Sequence, residues 1–554
     1  MTRLKVIQLV IGCVLGLAFL QSVPGMAEAP PGSVYVPMDS WVYSAFDRIA
    51  ARGTINKQFV GLRPWTRMQC AQLVAEFSEN FANQDGQDAE SLALGDALRQ
   101  EFKEEIERIG GDPSRQARLE SVYTRAMGIS GTPLRDSFHF GQTLVNDFGR
   151  PFNTGFSNVT GFSALAEGGR FFAYVRGEYQ HSPPYAGLSL AQQTYVEQLD
   201  GTATAPYSQA TGPLNNFDLL DTYVGLRLGD FDVTFGKQSL WWGPGTMGPM
   251  LASDNIDPIP MLKLNQVDPM VLPGFLARLG PVRVQAFFGK LAGHHFPPGA
   301  YMHGEKILLK PTPNLEVGFS RTNVGFGVGI PFTLRDLLNS YFSFKDGCCV
   351  PGGNLSGDNK SGFDFSYRIP RLRRWLTLYD DSFSDDDPSP LVNPGRGFHN
   401  PGIYLSQIPR LRKFDFRFEL ANTTWSREKP YYNWYYKDSY TNDGLIIGDT
   451  VGRRGSAFDV TSTYWVSPRK QVQVGWREQR VSHELIPSGG AQDSLQVKAT
   501  WLVQKQTELS FFVQHERWSF PFLATGKQAD NVVSFQLTVY PTKVPSRTAL
   551  RTSN

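Results

Sequence analysis

Apolar and polar side chains alternate with a period of two through most of this 554-residue chain, from about Leu134 almost to its end. Three segments show the alternation most clearly: 363–369, 414–420 and 495–501. A period of two predicts β-strands with one apolar and one polar face. Strands of a water-soluble β-sandwich alternate in the same way, so the connections between the strands must separate the two architectures.

Short and long connections alternate along the chain. Eight are tight, and two of them are near-identical Ile-Pro-Arg-Leu-Arg turns: 168–169, 229–230, 279–281, 310–314, 369–373, 408–412, 467–468 and 505–506. Nine are long: 146–157, 182–217, 239–269, 291–302, 322–360, 381–400, 426–454, 483–492 and 519–529. This order defines eighteen strands with short turns at one end and long loops at the other, which is the pattern of outer-membrane barrels.

The segment 121–129 has the composition of a nineteenth strand. An odd number of strands would place the residues before the barrel outside the cell, whereas barrels of this class have an even number. We therefore interpret 119–133 as a connector and expect the barrel to begin at residue 134. Its last strand, 533–540, ends on the aromatic Tyr540, and a tail of residues 541–554 follows.

The N-terminus has the form of a secretory signal. Two basic residues precede an apolar run from Val6 to Leu20, and small residues follow Pro24, so cleavage after Ala27 is expected. Cys13 loosely fits a lipidation site, but the apolar run continues past it. No later stretch reaches the roughly 18 apolar residues that a membrane-spanning helix needs, so an exported membrane protein would have to be a barrel.

Three amphipathic helices are predicted between residues 39 and 111. Asp39 is the expected N-cap of the first, and Thr66 with Gln69 forms a capping box for the second. The third has an apolar stripe: Leu94, Leu98, Phe102, Ile106 and Ile109. They make a small bundle that we place at the periplasmic mouth of the barrel.

The predicted fold is mainly β, an 18-stranded antiparallel outer-membrane β-barrel with a small N-terminal periplasmic α-helical bundle. Its parts are a signal peptide (1–27), the bundle (28–118), the connector (119–133), the transmembrane barrel (134–540) and the tail. A barrel of this size has room for an aqueous interior. Inward positions carry both charge signs, which favours internal salt bridges and a narrowed bore: Arg176, Glu178, Arg227, Asp232, Asp364, Arg368, Arg417 and Glu419.

Two stretches resemble the Wzi-type capsule assembly proteins. One runs from YVPMDSWVYSAFDRIAARG, at residues 35–53, through GLRPWTRMQCAQLV, at 61–74. The other is FGKQSLWWGPGTMGPMLASDNIDPIPMLKL at 235–264, and the similarity continues through DGLIIGD at 443–449. The first stretch also resembles surface-layer homology modules, which bind cell-wall polymers, although two capped helices that pack together would look the same.

The Wzi resemblance implies an eighteen-stranded outer-membrane barrel with a periplasmic bundle, which acts as a lectin and holds capsular or exopolysaccharide on the cell surface. Outer-membrane lipid, lipopolysaccharide and the polysaccharide export machinery are the further partners expected. The identity of the polysaccharide does not follow from the resemblance.

Sugars stack on aromatic faces, and carboxylates, amides and arginines bond their hydroxyl or acidic groups. Two predicted outer loops are rich in such residues. The candidate polysaccharide-binding residues are Trp241, Trp242, Asp254 and Asn255 in one loop, and Arg427, Tyr431, Tyr432, Trp434, Tyr435 and Tyr436 in the other. The first loop would serve equally well as an inward-folded structural loop, and aromatic residues of the second would also suit a membrane-interface girdle.

Other chemistries have weaker signals. The acidic run 380–387 is interpreted as a solvated loop in preference to a calcium site, and His294, His295 and His303 fit no metalloenzyme motif. Cys70, Cys348 and Cys349 lack metal-ligand spacing. A net charge of +2 gives no reason to expect nucleic-acid binding. We expect no catalytic residues, metal or cofactor.

The sequence therefore predicts a non-catalytic outer-membrane lectin, with its long loops at the cell surface. Two alternatives stay open. One is a porin for anionic solutes or oligosaccharides, which would need an open bore. The other is a structural barrel anchored to the cell wall through the helical bundle.

Overall fold

The computed structural model describes residues 31–541, except 58, 83–87, 111–114, 203–207, 331, 343–356, 373–374, 386–389 and 427. The predicted signal peptide, the tail beyond Pro541, Cys348 and Cys349 lie outside the described residues. Among the described residues, no helix is long and apolar enough to cross a membrane.

A single closed antiparallel sheet makes up the wall of the protein. The strands are β1 Gln116–Gly131, β2 Gly155–Gly168, β3 Phe171–Ser182, β4 Leu214–Leu219, β5 Thr222–Leu228, β6 Phe231–Gln238, β7 Ile259–Gln266, β8 Met270–Val271, β9 Pro281–Lys290, β10 Tyr301–Thr312, β11 Leu315–Gly325, β12 Asp358–Arg368, β13 Leu376–Asp385, β14 Phe398–Leu405, β15 Phe414–Asn422, β16 Thr441–Asn442, β17 Leu445–Ile446, β18 Gly455–Ser467, β19 Lys470–Val481, β20 Gly490–Gln504, β21 Thr507–Ser519 and β22 Gln528–Val539. Among the strands of the described residues, only β16 and β17 stand apart, as a small hairpin.

The barrel closes where its first and last strands meet, with Val122 paired to Val539 and Gly131 paired to Asp530. β4 and β5 lie one after the other against β3, and β7 and β8 lie one after the other against β9. The sheet therefore forms a closed barrel of eighteen strands, as predicted. All eight predicted tight connections fall at turns between neighbouring strands. We call the end of the barrel that carries them the short-turn rim, and the opposite end the long-loop rim.

The prediction of a connector at 119–133 is wrong, because most of this segment is β1, which pairs with β2 and β22. The number of strands is still eighteen, because the segment from Leu134 onward, which was expected to be the first strand, does not form one. Residues 132–154 instead form an irregular segment in which Phe138 and Phe140 are buried. The barrel thus begins at Gln116, and the helical bundle ends before it.

The outer face of the wall is apolar. Its exposed side chains include Phe156, Phe235 and Val533. The predicted inward positions are polar and enclosed: Arg176, Glu178, Arg227, Asp232, Asp364, Arg368 and Glu419 are buried, and Arg417 is almost so. An apolar exterior around a charged interior is the arrangement of a barrel that faces lipid.

In the described part of the N-terminal bundle there are four helices, not three: α1 Trp41–Ala51, α2 Arg67–Ala82, α3 Ala89–Glu101 and α4 Lys103–Ile109. The predicted third helix is broken at Phe102, and Ile109 is exposed. Ser40 caps α1 in place of Asp39, whose carboxylate pairs with Arg176 of β3. The capping box of α2 is confirmed, since Gln69 and Thr66 exchange hydrogen bonds of 3.1 and 2.9 Å. Two further helices lie in long loops, α5 Leu190–Asp200 and α6 Leu334–Phe342.

The bundle fills the barrel at the short-turn rim. Its core packs Phe46, Trp65 and Phe102 together, and the barrel wall holds its surface through carboxylates. Glu316 of β11 accepts hydrogen bonds from the backbone nitrogens of Val60 and Gly61, at 3.0 and 2.8 Å. These amides are buried away from water, so the carboxylate replaces hydration that they lose on folding.

Glu167 at the end of β2 makes a second attachment. It accepts a hydrogen bond of 2.8 Å from the backbone nitrogen of Val34 and pairs with Arg108 of α4, and both charged side chains are buried. A buried ion pair is costly to break on one side only, because the remaining charge has no water.

Replacing Arg108 by alanine should therefore lower the free energy of unfolding by about 3 kcal/mol. Urea titration of the protein folded in lipid vesicles measures this. The matched control on the same helix is Lys103→Ala, whose pair with Glu107 is exposed and should contribute less than about 0.5 kcal/mol. Equal effects of the two substitutions would contradict an attachment through a buried charge.

Candidate functional site

The connection from β6 to β7, residues 239–258, folds into the barrel, and we call it the inner loop. Carboxylates of the wall hold its backbone. Glu419 accepts from the nitrogens of Thr246 and Met247, at 2.7 and 2.5 Å, and Asp381 accepts from Met250 at 2.6 Å. Gly243 allows the close approach, because a Cβ there would lie 2.7 Å from the Asp381 carboxylate.

Trp241 and Trp242 are enclosed in the interior and are not open to a polymer. Trp242 is 0% exposed, donates a 2.8 Å hydrogen bond to Gln285 and packs edge-on against Phe287. Trp241 exchanges backbone hydrogen bonds of 2.9 and 3.1 Å with Arg63, which joins the inner loop to the bundle. Their burial argues against the prediction that these two indoles bind sugar. Trp242 belongs to the hydrophobic core of the barrel, and the indole nitrogen of buried Trp241 donates to the carbonyl of Gly245 at 3.2 Å.

Asp254 and Asn255 are buried in the same loop. Asn255 accepts a 2.8 Å hydrogen bond from Gln142 and donates to the carbonyl of Ile446. Burial, reinforced by the carboxylates of Asp39 and Asp147, raises the pKa of Asp254 to about 8. Asn255 therefore helps to hold the packed interior together, and both side chains are buried away from the outer surface.

The second candidate loop, residues 423–454, lies on the long-loop rim, and we call it the outer loop. Tyr431 and Tyr440 are fully buried and point down into the inner loop, donating to the carbonyls of Met250 and Leu251 at 2.6 and 2.8 Å. Burial raises the pKa of Tyr431 well above its usual value. Tyr436 is buried as well, which argues against the prediction that Tyr431 and Tyr436 contact sugar, and both pack into the hydrophobic core of the barrel.

The remaining aromatic residues of the outer loop face outward. Trp434 is 51% exposed, and Tyr432 and Tyr435 are half-buried. Trp425, at the start of the loop, is 58% exposed. Arg427 lies outside the described residues. Of the ten candidates, the structure thus brings three to the outer surface together with Trp425.

Polar groups that the sequence analysis missed surround Trp425. The ring of His399 lies 6.3 Å from it, centroid to centroid, and Nδ1 of His399 is 2.9 Å from the Asp380 carboxylate. Arg396 donates through Nε to Glu428 at 3.1 Å. His399 belongs to β14, Arg396 to the connection before it and Asp380 to β13, so only the pairing of strands around the barrel brings them to the outer loop.

Aromatic and charged residues also lie around Trp434. Its ring meets that of Tyr435 at 5.8 Å, and Nζ of Lys437 lies 5.7 Å from the Phe296 ring. Asp438 accepts from the backbone nitrogens of His295 and Phe296, at 2.7 and 2.9 Å. The loop 291–300 therefore supports this part of the outer loop, and His295 is not part of a histidine cluster.

A series of charged residues in contact with one another lies beneath Tyr432. Arg453 lies between the rings of Phe138 and Tyr432, at 4.6 and 5.0 Å, and pairs with Asp200 of α5 at 2.6 Å. Asp200 in turn contacts Nε2 of His139 at 3.0 Å, whose Nδ1 is 2.8 Å from Asp136. Burial lowers the pKa of His139, but the two carboxylates outweigh it and raise the pKa to about 9.

The described part of the acidic run, residues 380–385, is not the solvated loop predicted, and Asp386 and Asp387 lie outside the described residues. Asp380, Asp381 and Asp385 belong to β13, and Asp381 and Asp385 point inward. Asp385 pairs with Lys360 at 2.9 Å. Within the described ranges, no group of three or more His, Cys, Asp or Glu side chains could hold a metal ion.

The barrel interior contains a cavity of about 50 Å³ between α1 and the wall, lined in part by Ala50, Lys310, Arg368 and Tyr404. This is room for a few water molecules and not for a sugar ring. The aromatic groups able to meet a polymer are therefore those on the long-loop rim.

The sequence profile of the family described as capsule assembly protein Wzi matches residues 124–533. The chain belongs to the Wzi capsule assembly family. Its fold is similar to that of Escherichia coli Wzi, described as an outer-membrane protein involved in group 1 capsule assembly and a carbohydrate-binding β-barrel. That likeness has a TM-score of 0.67 and 16% identity, and covers 92% of this chain and 100% of the other.

A sequence relative is an uncharacterised 55.8 kDa protein in the cps region of Klebsiella pneumoniae, 25% identical over 181 residues. The match covers 31% of this chain and 34% of that protein. The chain thus spans about a third of the length of this curated relative. With the family and the fold established, this protein is an outer-membrane β-barrel of the capsule assembly class.

The His139 contacts predict a pH-dependent stability. Because the folded pKa of about 9 lies above the unfolded value of roughly 6.5, protonated His139 stabilises the fold fully below pH 6.5. That stabilisation is lost as the pH rises through 9. The difference in unfolding free energy between the native chain and His139→Gln should therefore be largest at pH 6 and shrink towards pH 10. Exposed His483→Gln is the control, and a difference independent of pH would contradict the charged pairing.

Proposed function

We propose that this member of the Wzi family is a non-catalytic lectin, which binds capsular or exopolysaccharide on its long-loop rim and retains it at the cell surface. The observation that supports the proposal is that some aromatic residues of the outer loop are buried and others are exposed. Buried Tyr431, Tyr436 and Tyr440 fix the loop to the packed interior, so the exposed faces of Trp425 and Trp434 are held in place. A preordered aromatic surface loses little conformational entropy on binding.

The chemistry around these indoles suits a sugar polymer. Aromatic faces offer stacking surfaces to the C–H side of a pyranose ring, and Tyr432 and Tyr435 extend them. Arg396, His399 and Lys437 are near enough to bond hydroxyl or carboxylate groups of the same chain. The carbohydrate binding described for Escherichia coli Wzi supports this assignment.

The proposed orientation follows the asymmetry of the barrel. Short turns of outer-membrane barrels face the periplasm and long loops face outward. The helical bundle fills the short-turn rim, so we place it in the periplasm, where the export machinery for the polysaccharide would meet it. The long-loop rim then lies at the cell surface beside lipopolysaccharide.

A porin function requires a continuous bore, and the interior of the described barrel argues against one. The inner loop and the bundle meet at Arg63 and Trp241, and the wall holds both through buried carboxylates. Purified protein should therefore give no steady conductance in planar bilayers. Steady channels that small sugars block, without retention of polymer, would sink the lectin proposal and favour a porin.

The exposed indoles give the direct test of binding. Trp425→Ala and Trp434→Ala together should weaken retention of polysaccharide, extracted from the producing strain, by at least about tenfold, because each stacked aromatic contributes about 1 kcal/mol. A pull-down on immobilised polysaccharide measures this. Wild-type retention by the double variant would contradict the proposed site.

Two controls separate binding from folding and from membrane anchoring. Trp476→Ala with Trp501→Ala removes exposed indoles from the outer faces of β19 and β20, and should leave retention unchanged. Trp242→Ala should lower stability by about 3 kcal/mol or more through a cavity in the core, without a specific loss of polymer from the molecules that remain folded. Binding that instead depends on residues 31–110 alone would favour cell-wall anchoring through the bundle.

A further inference from the structure

Two turns on the short-turn rim repeat one sequence, and the proposed function does not use them. Ile-Pro-Arg-Leu-Arg occurs at residue 369, between β12 and β13, and again at 408, between β14 and β15. The described parts of the two turns share a hydrogen bond as well. Leu372 donates to the carbonyl of Ile369 at 2.9 Å, and Leu411 donates to that of Ile408 at 2.9 Å. The repeat is thus one of structure as well as of sequence.

The two turns are neighbours. β13 and β14 are paired up to Leu376 and Leu405, and the backbone nitrogen of Ser406 donates to the carbonyl of Trp375 at 2.9 Å, which ties one turn to the other. The bundle fixes the second turn from inside, because Arg48 of α1 and Arg52, the C-cap residue of that helix, donate to the carbonyl of Arg412 at 2.7 and 3.3 Å. The backbone of this surface is therefore held in place.

Its side chains, in contrast, are open to solvent. Leu372 is 37% exposed and Leu411 is 53% exposed, and Arg371, Arg410 and Arg412 are exposed beside them. Within the part of the chain that the structure describes, these three guanidinium groups form no ion pair. We call these five residues the Arg-Leu surface.

Arg410 also adopts a left-handed backbone conformation, with φ of 70°. A non-glycine residue pays about 1 kcal/mol for that conformation. Glycine would adopt this conformation with less strain, yet the chain has an arginine here. Within the described residues, its guanidinium group has no hydrogen-bond or ion-pair partner.

The position of the Arg-Leu surface suggests its ligand. The outward faces of the flanking strands stay apolar up to their ends, at Tyr367, Leu376, Leu405 and Phe414, so each turn begins where the lipid-facing wall stops. A leucine between arginines suits this boundary, since the leucine can enter the acyl layer while the guanidinium fork meets phosphate. An acidic soluble protein would match the arginines but would leave the exposed leucines without a role.

The same combination recurs on this rim. In the turn before β9, Phe275 is 81% exposed and Arg278 follows three residues later. Basic side chains near an anionic membrane surface each contribute about 1 kcal/mol to binding. A rim with three such turns would be drawn towards anionic lipid.

We propose that the Arg-Leu surface binds the phosphate headgroup of an anionic phospholipid, with Leu372 and Leu411 in the acyl layer. The leaflet concerned is the periplasmic one if the orientation given under the proposed function holds, and the lipid preference itself does not depend on that orientation.

Native mass spectrometry of the full chain in detergent micelles tests the proposal, with phosphatidylglycerol and phosphatidylcholine of identical acyl chains as the probes. The native protein should prefer phosphatidylglycerol. The triple variant Arg371→Gln, Arg410→Gln and Arg412→Gln should reduce that preference at least about tenfold. The control removes three basic residues from the long-loop side, Lys429→Gln, Arg480→Gln and Lys527→Gln, and should keep it.

The proposal is overturned by the absence of a preference in the native protein, by an undiminished preference in the triple variant, or by an equal loss in the control. Glycerol phosphate and polyglutamate are added as competitors at equal charge. Displacement of the lipid by either one would mean that a soluble phosphate or an acidic protein segment is the ligand. Leu372→Ser with Leu411→Ser, which keeps every charge, should weaken lipid binding several-fold, and unchanged binding would contradict insertion into the acyl layer.

Polysaccharide retention is measured on the same variants, so the two proposals fail separately. The triple arginine variant should retain polymer as the native chain does. Loss of polymer in the Trp425 and Trp434 variant, with lipid preference intact, bears only on the lectin assignment.

Discussion

Backbone amides that fold into a membrane-spanning barrel must find acceptors there, because neither lipid nor bulk water can supply them. In this protein the wall supplies them as carboxylates. Glu316 and Glu167 accept from the segments around the bundle, and Glu419 and Asp381 accept from the inner loop. The irregular interior depends on this one interaction, since a buried amide without an acceptor would cost about 1–3 kcal/mol.

The same interaction explains why the interior is charged without being a pore. Three inward carboxylates of the described wall show this: Glu178, Asp364 and Glu419 each pair with an arginine or lysine, and these charges lie in a packed interior. The inner loop gives the outer loop a firm base, because Tyr431 and Tyr440 donate to its carbonyls. The wall therefore fixes the position of the inner loop, and the inner loop fixes the outer loop that carries the exposed indoles.

Most of the barrel could be predicted from the sequence, because turn spacing and alternation are local properties. β1 was rejected as a strand because the segment after it was counted as the first strand, so that a nineteenth would have made the number odd. In β1, moreover, several large apolar side chains point inward. Tyr123, Met127 and Ile129 face the interior, whereas Thr124, Ala126 and Gly128 face outward. The segment after it alternates as a strand would, but it forms no strand. Phe138 and Phe140 instead bury their rings in the interior of the barrel.

The binding site was harder to predict for a related reason. Trp241 and Trp434 are both aromatic residues in long connections, and nothing local distinguishes an indole that fills a core from one that faces solvent. The distinction arises from contacts made across the barrel, such as that between Tyr431 and Met250, which are 181 residues apart. His399 entered the site in the same way, through strand pairing that only the closed sheet creates.

These separations also set an order for assembly. The bundle comes first in the chain, yet Gly61 meets its acceptor on Glu316 only 255 residues later, and Thr246 must wait for Glu419, 173 residues further on. Contacts so distant in sequence form slowly, because the entropy of a long loop must be lost before the contact can contribute any stabilisation. The bundle and the inner loop can therefore gain these acceptors only after β11 and β15 have joined the wall.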